Sequence, residues 1–124
     1  MALGPVSQIH ISVSDVDRAV EFYRDVLGIP FLFQVDGQPM AFFQSGGVRL
    51  YLGKVESPMY RTHTVHYFDV DDLYAERARL EGHGIQFLDE PHVVHRTETT
   101  ELWMTGFQDP DGHHLILMQE KPST

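Results

Sequence analysis

The sequence predicts an α+β fold. Two tandem βαβββ units would form a curved mixed sheet around a central cleft, with the helices on the outer face. Three observations predict it. The chain repeats itself, each copy passes from a strand-like apolar period to a helical one, and Gly-containing turn signals separate short apolar runs. Ile11-Ser12-Val13-Ser14-Asp15-Val16 is matched by Phe68-Asp69-Val70-Asp71-Asp72-Leu73 at an offset of 57 residues. Gly28-Ile29-Pro30-Phe31-Leu32 is then matched by Gly84-Ile85-Gln86-Phe87-Leu88 at an offset of 56, as if the second helix were one residue shorter. Gly47-Val48-Arg49-Leu50-Tyr51-Leu52 parallels Gly112-His113-His114-Leu115-Ile116-Leu117.

The elements follow in order. Val6 to Val13 alternates, with Ile9, Ile11 and Val13 on one face and Gln8, His10 and Ser12 on the other, which is the pattern of a half-buried strand. Ser14 and Asp15 are helix N-cap types. Val16, Ala19, Val20, Tyr23, Val26 and Leu27 form a helical stripe that Gly28 ends. Phe31–Val35, Met40–Gln44 and Val48–Gly53 read as strands, with Asp36-Gly37 and Gly46-Gly47 as turns. The second copy repeats the order: a strand over His63–Val70, a helix over Asp71–Gly82 and a short strand over Gln86–Leu88. A hairpin follows, Leu102–Gln108 and His114–Gln119, around Asp109-Pro110-Asp111-Gly112. Pro91 to Thr100 reads as a loop lining the cavity. The expected organisation is a single domain over 1–124, with copy one at about 6–54, a linker at about 55–62 and copy two at about 63–120.

Composition narrows the function. The net charge of −9 argues against nucleic acid and against anionic membrane surfaces, since both require a basic patch. With no cysteine there is no disulfide, thiolate metal site or Cys nucleophile. Met1 to Pro5 has no leader pattern and no apolar run reaches membrane-spanning length, so a cytoplasmic location is expected.

Val13-x-Asp15, Phe22-Tyr23-x-x-x-Leu27-Gly28 and Phe107-x-Asp109-Pro110-Asp111-Gly112 together resemble the vicinal oxygen chelate superfamily. That group includes glyoxalase I, fosfomycin- and bleomycin-resistance proteins, extradiol dioxygenases and methylmalonyl-CoA epimerase. The resemblance runs from about Val6 to Glu120. It implies a cleft that in metal-dependent members holds a divalent ion, with ligands from the first and last strand of each copy. Those positions correspond here to Gln8, Tyr51, Val65 and Ile116. Val and Ile carry no donor atoms and Tyr is an uncommon ligand, while Gln can ligate through its carbonyl oxygen, so at most two of the four ligands survive. No metal is therefore expected at the usual positions.

Eight histidines invite a displaced site. Gln8, His10, His63, His92, His95 and Glu101 are the candidates for a rearranged ligand set for Mn, Fe, Ni or Zn. His92, His95 and Glu101 are also candidates for acid–base chemistry near neutral pH. The expected ligand-binding wall is apolar and aromatic: Gln8, His10, Tyr51, Val65, Tyr67, Trp103, Met104 and Ile116, with Phe42, Met118, Ser12 and Arg49 beside them. His83 and His113 fall in turns and are expected at the surface. Three functions remain open. The first is a glyoxalase-, bleomycin-resistance- or dioxygenase-like protein that binds a small aromatic or apolar ligand without the usual metal. The second is a metal-dependent isomerase, lyase or dioxygenase with rearranged ligands. The third is a non-catalytic dimerisation module. A homodimer is expected, and the pairing of the two copies, within a chain or swapped between chains, stays open.

Overall fold

The protein is described from a computed structural model covering residues 2–55, 57–58 and 61–123. Part of the expected linker therefore lies outside the described residues. The chain divides into two compact units, 1–63 and 64–124. Among the described residues no helix is long and apolar enough to cross a membrane.

Unit 1 runs β1 (Gln8–Ser12), α1 (Val16–Glu21) continuing into a π-helical turn (Phe22–Val26), β2 (Phe31–Gln34), β3 (Met40–Ser45) and β4 (Val48–Gly53). Its sheet order is β1-β4-β3-β2, with β1 parallel to β4 and the other pairs antiparallel. Alternation sends Ile11, Leu50, Leu52, Ala41 and Phe43 to one face. There they are buried against Val16, Ala19, Val20 and Tyr23 of the helical segment. Asp15 caps the helix, its Oδ1 accepting from the Arg18 N–H at 3.1 Å.

Unit 2 runs β5 (Val65–Asp69), α2 (Leu73–Gly82), β6 (His92–Arg96), β7 (Thr100–Gln108) and β8 (His114–Pro122). Its order, β5-β8-β7-β6, repeats that of unit 1, again with the outer β5–β8 pair parallel. Asp72 caps α2 as Asp15 caps α1, accepting from the Ala75 N–H at 3.0 Å. Phe107 and Leu115 are fully buried, as are the equivalent Phe43 and nearly so Leu50.

The drop in repeat offset has a structural cause. In unit 1 the Leu27 N–H bonds to the Phe22 carbonyl at 3.0 Å, five residues back. A π-turn holds one residue more than an α-turn, so the unit 1 helix absorbs the extra residue. Both helices then stop at a left-handed glycine, Gly28 at φ 77° and Gly84 at φ 88°.

Two expectations are corrected. Gln86–Leu88 is not a strand, and the Pro91–Thr100 segment holds one, β6. Phe87 still packs on Phe107 with ring centroids 5.1 Å apart, as Phe31 packs on Phe43 at 5.3 Å. The ladder is interrupted because the Asp89 side chain takes the β7 backbone N–H that a strand would use, together with a hydroxyl beside it. Its Oδ1 accepts from the Gly106 N–H at 3.0 Å and the Thr105 hydroxyl at 2.9 Å. Pairing resumes at His92. Both outermost strands slip register once, between Phe31 and Phe33 in β2 and between Val93 and His95 in β6.

Candidate functional site

The face of the unit 1 sheet away from the helix carries a continuous row of rings. His10, Tyr51, Phe42 and Phe33 are cross-strand neighbours on β1, β4, β3 and β2. Consecutive centroids lie 4.6, 5.0 and 4.9 Å apart. His10 meets Tyr51 edge-on, Tyr51 stacks on Phe42, and Phe33 is 47% exposed at the outer end. Tyr51 and His10 lean over Gly53, where an added Cβ would come within 2.6 Å of the tyrosine ring. Glycine is thus what lets the two rings lie down. Arg49 completes the face, its guanidinium 5.5 Å from the Phe42 centroid and its Nε–H donating to Gln8 Oε1 at 2.8 Å. Ser12 shares the face but is tied to Thr62, whose N–H donates to the Ser12 hydroxyl at 2.6 Å.

The sequence reading missed Phe33 because the register slip at Leu32 is invisible in it. Without the slip Phe31 and Phe33 would point the same way. With it, Phe31 enters the core and Phe33 joins the row.

In unit 2 the helix-free face carries Val65, Tyr67, Ile116, Met104 and Met118. Val65 is 51% and Tyr67 55% exposed. Tyr67, Ile116 and Gly106 form the row equivalent to His10, Tyr51 and Phe42, so a glycine stands where the first unit has a phenylalanine. His92 pairs with Met104 and His95 with Leu102 at the outer edge. Both imidazoles are exposed, and His92 Nδ1 lies 2.8 Å from the Glu90 carbonyl. His63 is exposed and precedes β5.

Trp103 and Glu101 stand elsewhere. They share a face with Thr105 and Phe107, which is the side that α2 covers. The Trp103 ring lies 6.2 Å from Tyr74 of α2, and the Lys121 ammonium sits over both rings at 4.7 and 5.0 Å. The Glu101 carboxylate accepts from Arg96 Nε at 2.9 Å and from the indole N–H at 3.3 Å. The structure thus separates Trp103 and Glu101 from Met104 and Ile116, because a period of two sends odd and even residues of β7 to opposite faces.

His113 is a second correction. It is 2% exposed, not at the surface. Its Nδ1 accepts from the Thr64 N–H at 3.2 Å, and its own N–H donates to Asp109 Oδ1 at 2.9 Å. Neighbouring His66 has a buried Nδ1 without a partner among the described residues. Its pKa is lowered from 6.5 by desolvation first and then by His113, against an opposing pull from Asp109. His10 is likewise lowered, by burial.

The four positions that the resemblance assigns to metal ligands fit a divalent ion poorly. Val65 and Ile116 have no donor, and Tyr51 offers only a phenolic oxygen, an uncommon ligand for a divalent ion. The one good donor, Gln8 Oε1, already accepts from a guanidinium whose positive charge would repel a cation there. Among the described residues no group of three or more His, Asp or Glu side chains is arranged to hold an ion.

Comparison with known proteins agrees with this architecture. The sequence profile described as Glyoxalase/Bleomycin resistance protein/Dioxygenase superfamily matches residues 6–117. A relative named metallothiol transferase FosB, from Staphylococcus epidermidis, is 31% identical over 126 aligned positions, covering 90% of this chain and 81% of the relative. A superfamily member of known structure from Sphaerobacter thermophilus superposes with a TM-score of 0.78 at 21% identity, covering 94% of this chain and 98% of its own. A lactoylglutathione lyase from Agrobacterium tumefaciens gives a TM-score of 0.72 at 21% identity, covering 95% of both chains. Twin βαβββ units, shared motifs and matched profile lead to one conclusion: the chain belongs to the glyoxalase/bleomycin resistance protein/dioxygenase superfamily.

Proposed function

We propose that the protein binds a small, flat, apolar or aromatic organic ligand through the helix-free face of its first unit, without a metal at the usual positions. The observation that carries this reading is the row His10–Tyr51–Phe42–Phe33, which runs unbroken across four strands and ends exposed. Aromatic pairs contribute roughly 0.5–1.5 kcal/mol beyond area burial, so a planar ligand would gain from stacking on the outer rings. Val65, Tyr67, Met104 and Ile116 are the candidates in unit 2, and His92 and His95 lie at the edge of its sheet. Binding of this kind suits sequestration, as in resistance proteins, or chemistry that needs no ion. The exposed Val65 and Tyr67 also support a homodimer, which sedimentation would detect.

The metallothiol transferase relatives favour a second reading, a divalent-metal enzyme with a rearranged ligand set. Metal analysis of tag-free protein, paired with melting in chelator, separates the two. The first reading expects no stoichiometric Mn, Fe, Ni or Zn and no change in melting. Bound metal together with a chelator-lowered melting temperature would overturn it. A melting screen with planar aromatics then tests the ligand class, since a ligand at 100 times its Kd adds about 2.7 kcal/mol.

A further inference from the structure

Arg49 stands apart from the paired arginines of this chain. Acidic residues outnumber basic ones 18 to 9, and Arg24, Arg77, Arg79 and Arg96 each lie against a carboxylate. Arg49 does not. Its hydrogen bond goes from Nε to the neutral Gln8 amide oxygen at 2.8 Å, and its guanidinium lies 5.5 Å from the Phe42 centroid. Gln8 and Arg49 are register partners on parallel β1 and β4, so the amide fixes the fork without neutralising it. A guanidinium has five N–H donors in a planar array, and among the described residues only one of them is engaged. The Nη pair is what a carboxylate takes bidentately. Arg49 is exposed and stands beside the Tyr51–Phe42–Phe33 rings.

We propose that this face recognises a flat aromatic carboxylate. The ring would lie along Phe42 and Phe33, the carboxylate would meet the Nη atoms of Arg49, and Gln8 would act as the positioning residue. The inference rests on the ligand-binding reading above and adds an acid group to the ligand. It also gives Gln8 a role: the position that the resemblance assigns to a metal donor orients an arginine instead.

The test compares 2-naphthoate with 2-naphthamide, matched in shape and differing in charge, by titration calorimetry on the full chain at low salt. Wild type is expected to bind the acid about tenfold more tightly than the amide, the range of an exposed charge-assisted contact. Arg49→Gln should erase that preference, so that acid and amide bind alike. Gln8→Leu, which keeps the charge but loses its anchor, should lower the acid-to-amide affinity ratio severalfold. Equal binding of acid and amide, or a preference that survives Arg49→Gln, would overturn the acid assignment while the stacking face stands. Binding of neither probe would remove both readings. If Arg49→Gln shifts self-association in sedimentation and leaves naphthoate affinity untouched, the face is an interface between copies and the proposal is wrong.

Discussion

His66 and His113 are the two imidazoles held close together on the helix side of the second sheet. His66 Nδ1 is buried without a partner among the described residues, and His113 Nδ1 accepts from the Thr64 N–H. Protonating His66 in the folded state is disfavoured by burial and by His113, with Asp109 opposing. The unfolded chain therefore binds the proton more readily, and stability rises with pH across this window. It should be complete above the ordinary value of 6.5 and decline as pH falls through 6.5 toward the folded value. Urea midpoints at about pH 7.5 and 5.5 measure the decline. His66→Leu should shallow it, leaving the part due to His10; an unchanged slope would show that His66 is not its source. At this scale the absence of donors at Val65 and Ile116 could be read by counting from Asp72 and Asp109. The side of Trp103 could also have been read, since it alternates in phase with Phe107, a core residue. The burial of His113 could not, because it depends on Thr64, 49 residues away.

The helices show how local signals and tertiary ones divide the work. Asp15 and Asp72 each sit at the N-cap with extended backbone and accept a hydrogen bond three residues on. Asp72→Ala should cost about 1 kcal/mol, with Asp72→Asn close to neutral, as read from denaturant midpoints. A loss well below a few tenths of a kcal/mol would mean that Gln119, whose Oε1 accepts from the Leu73 N–H at 2.8 Å, holds the helix start alone. Caps, glycine stops and the main hairpins were legible because they are written in residues close in sequence. The π-turn was legible only as an arithmetic oddity in the repeat. The last element of difficulty was β6. Phe87 repeats the core contact of Phe31 faithfully, yet Asp89 captures the Thr105 and Gly106 donors and delays strand pairing until His92. A side chain competing with a ladder leaves no mark in apolar periodicity.

For the molecule as a whole, the sequence points to a single domain, and the chain supplies its own reporter. Its one tryptophan, Trp103, lies in the second unit, while Phe43 is fully buried in the core of the first. Phe43→Ala should remove about 3–5 kcal/mol. If the two units unfold together, the Trp103 fluorescence transition should move as far as the circular-dichroism transition does. A tryptophan transition left in place would mean two independently folding units. One further consequence concerns the register slips in β2 and β6. These are the outer strands on the hairpin side of each sheet, and such a margin offers unpaired N–H and C=O groups that can template another chain. A slip breaks that row and bends the strand. Leu32 and Val94, 43% and 46% exposed, mark the two interruptions. Straightening either margin would offer β-aggregation a regular template, so both copies carry a guard for solubility on the side away from their parallel strand pair.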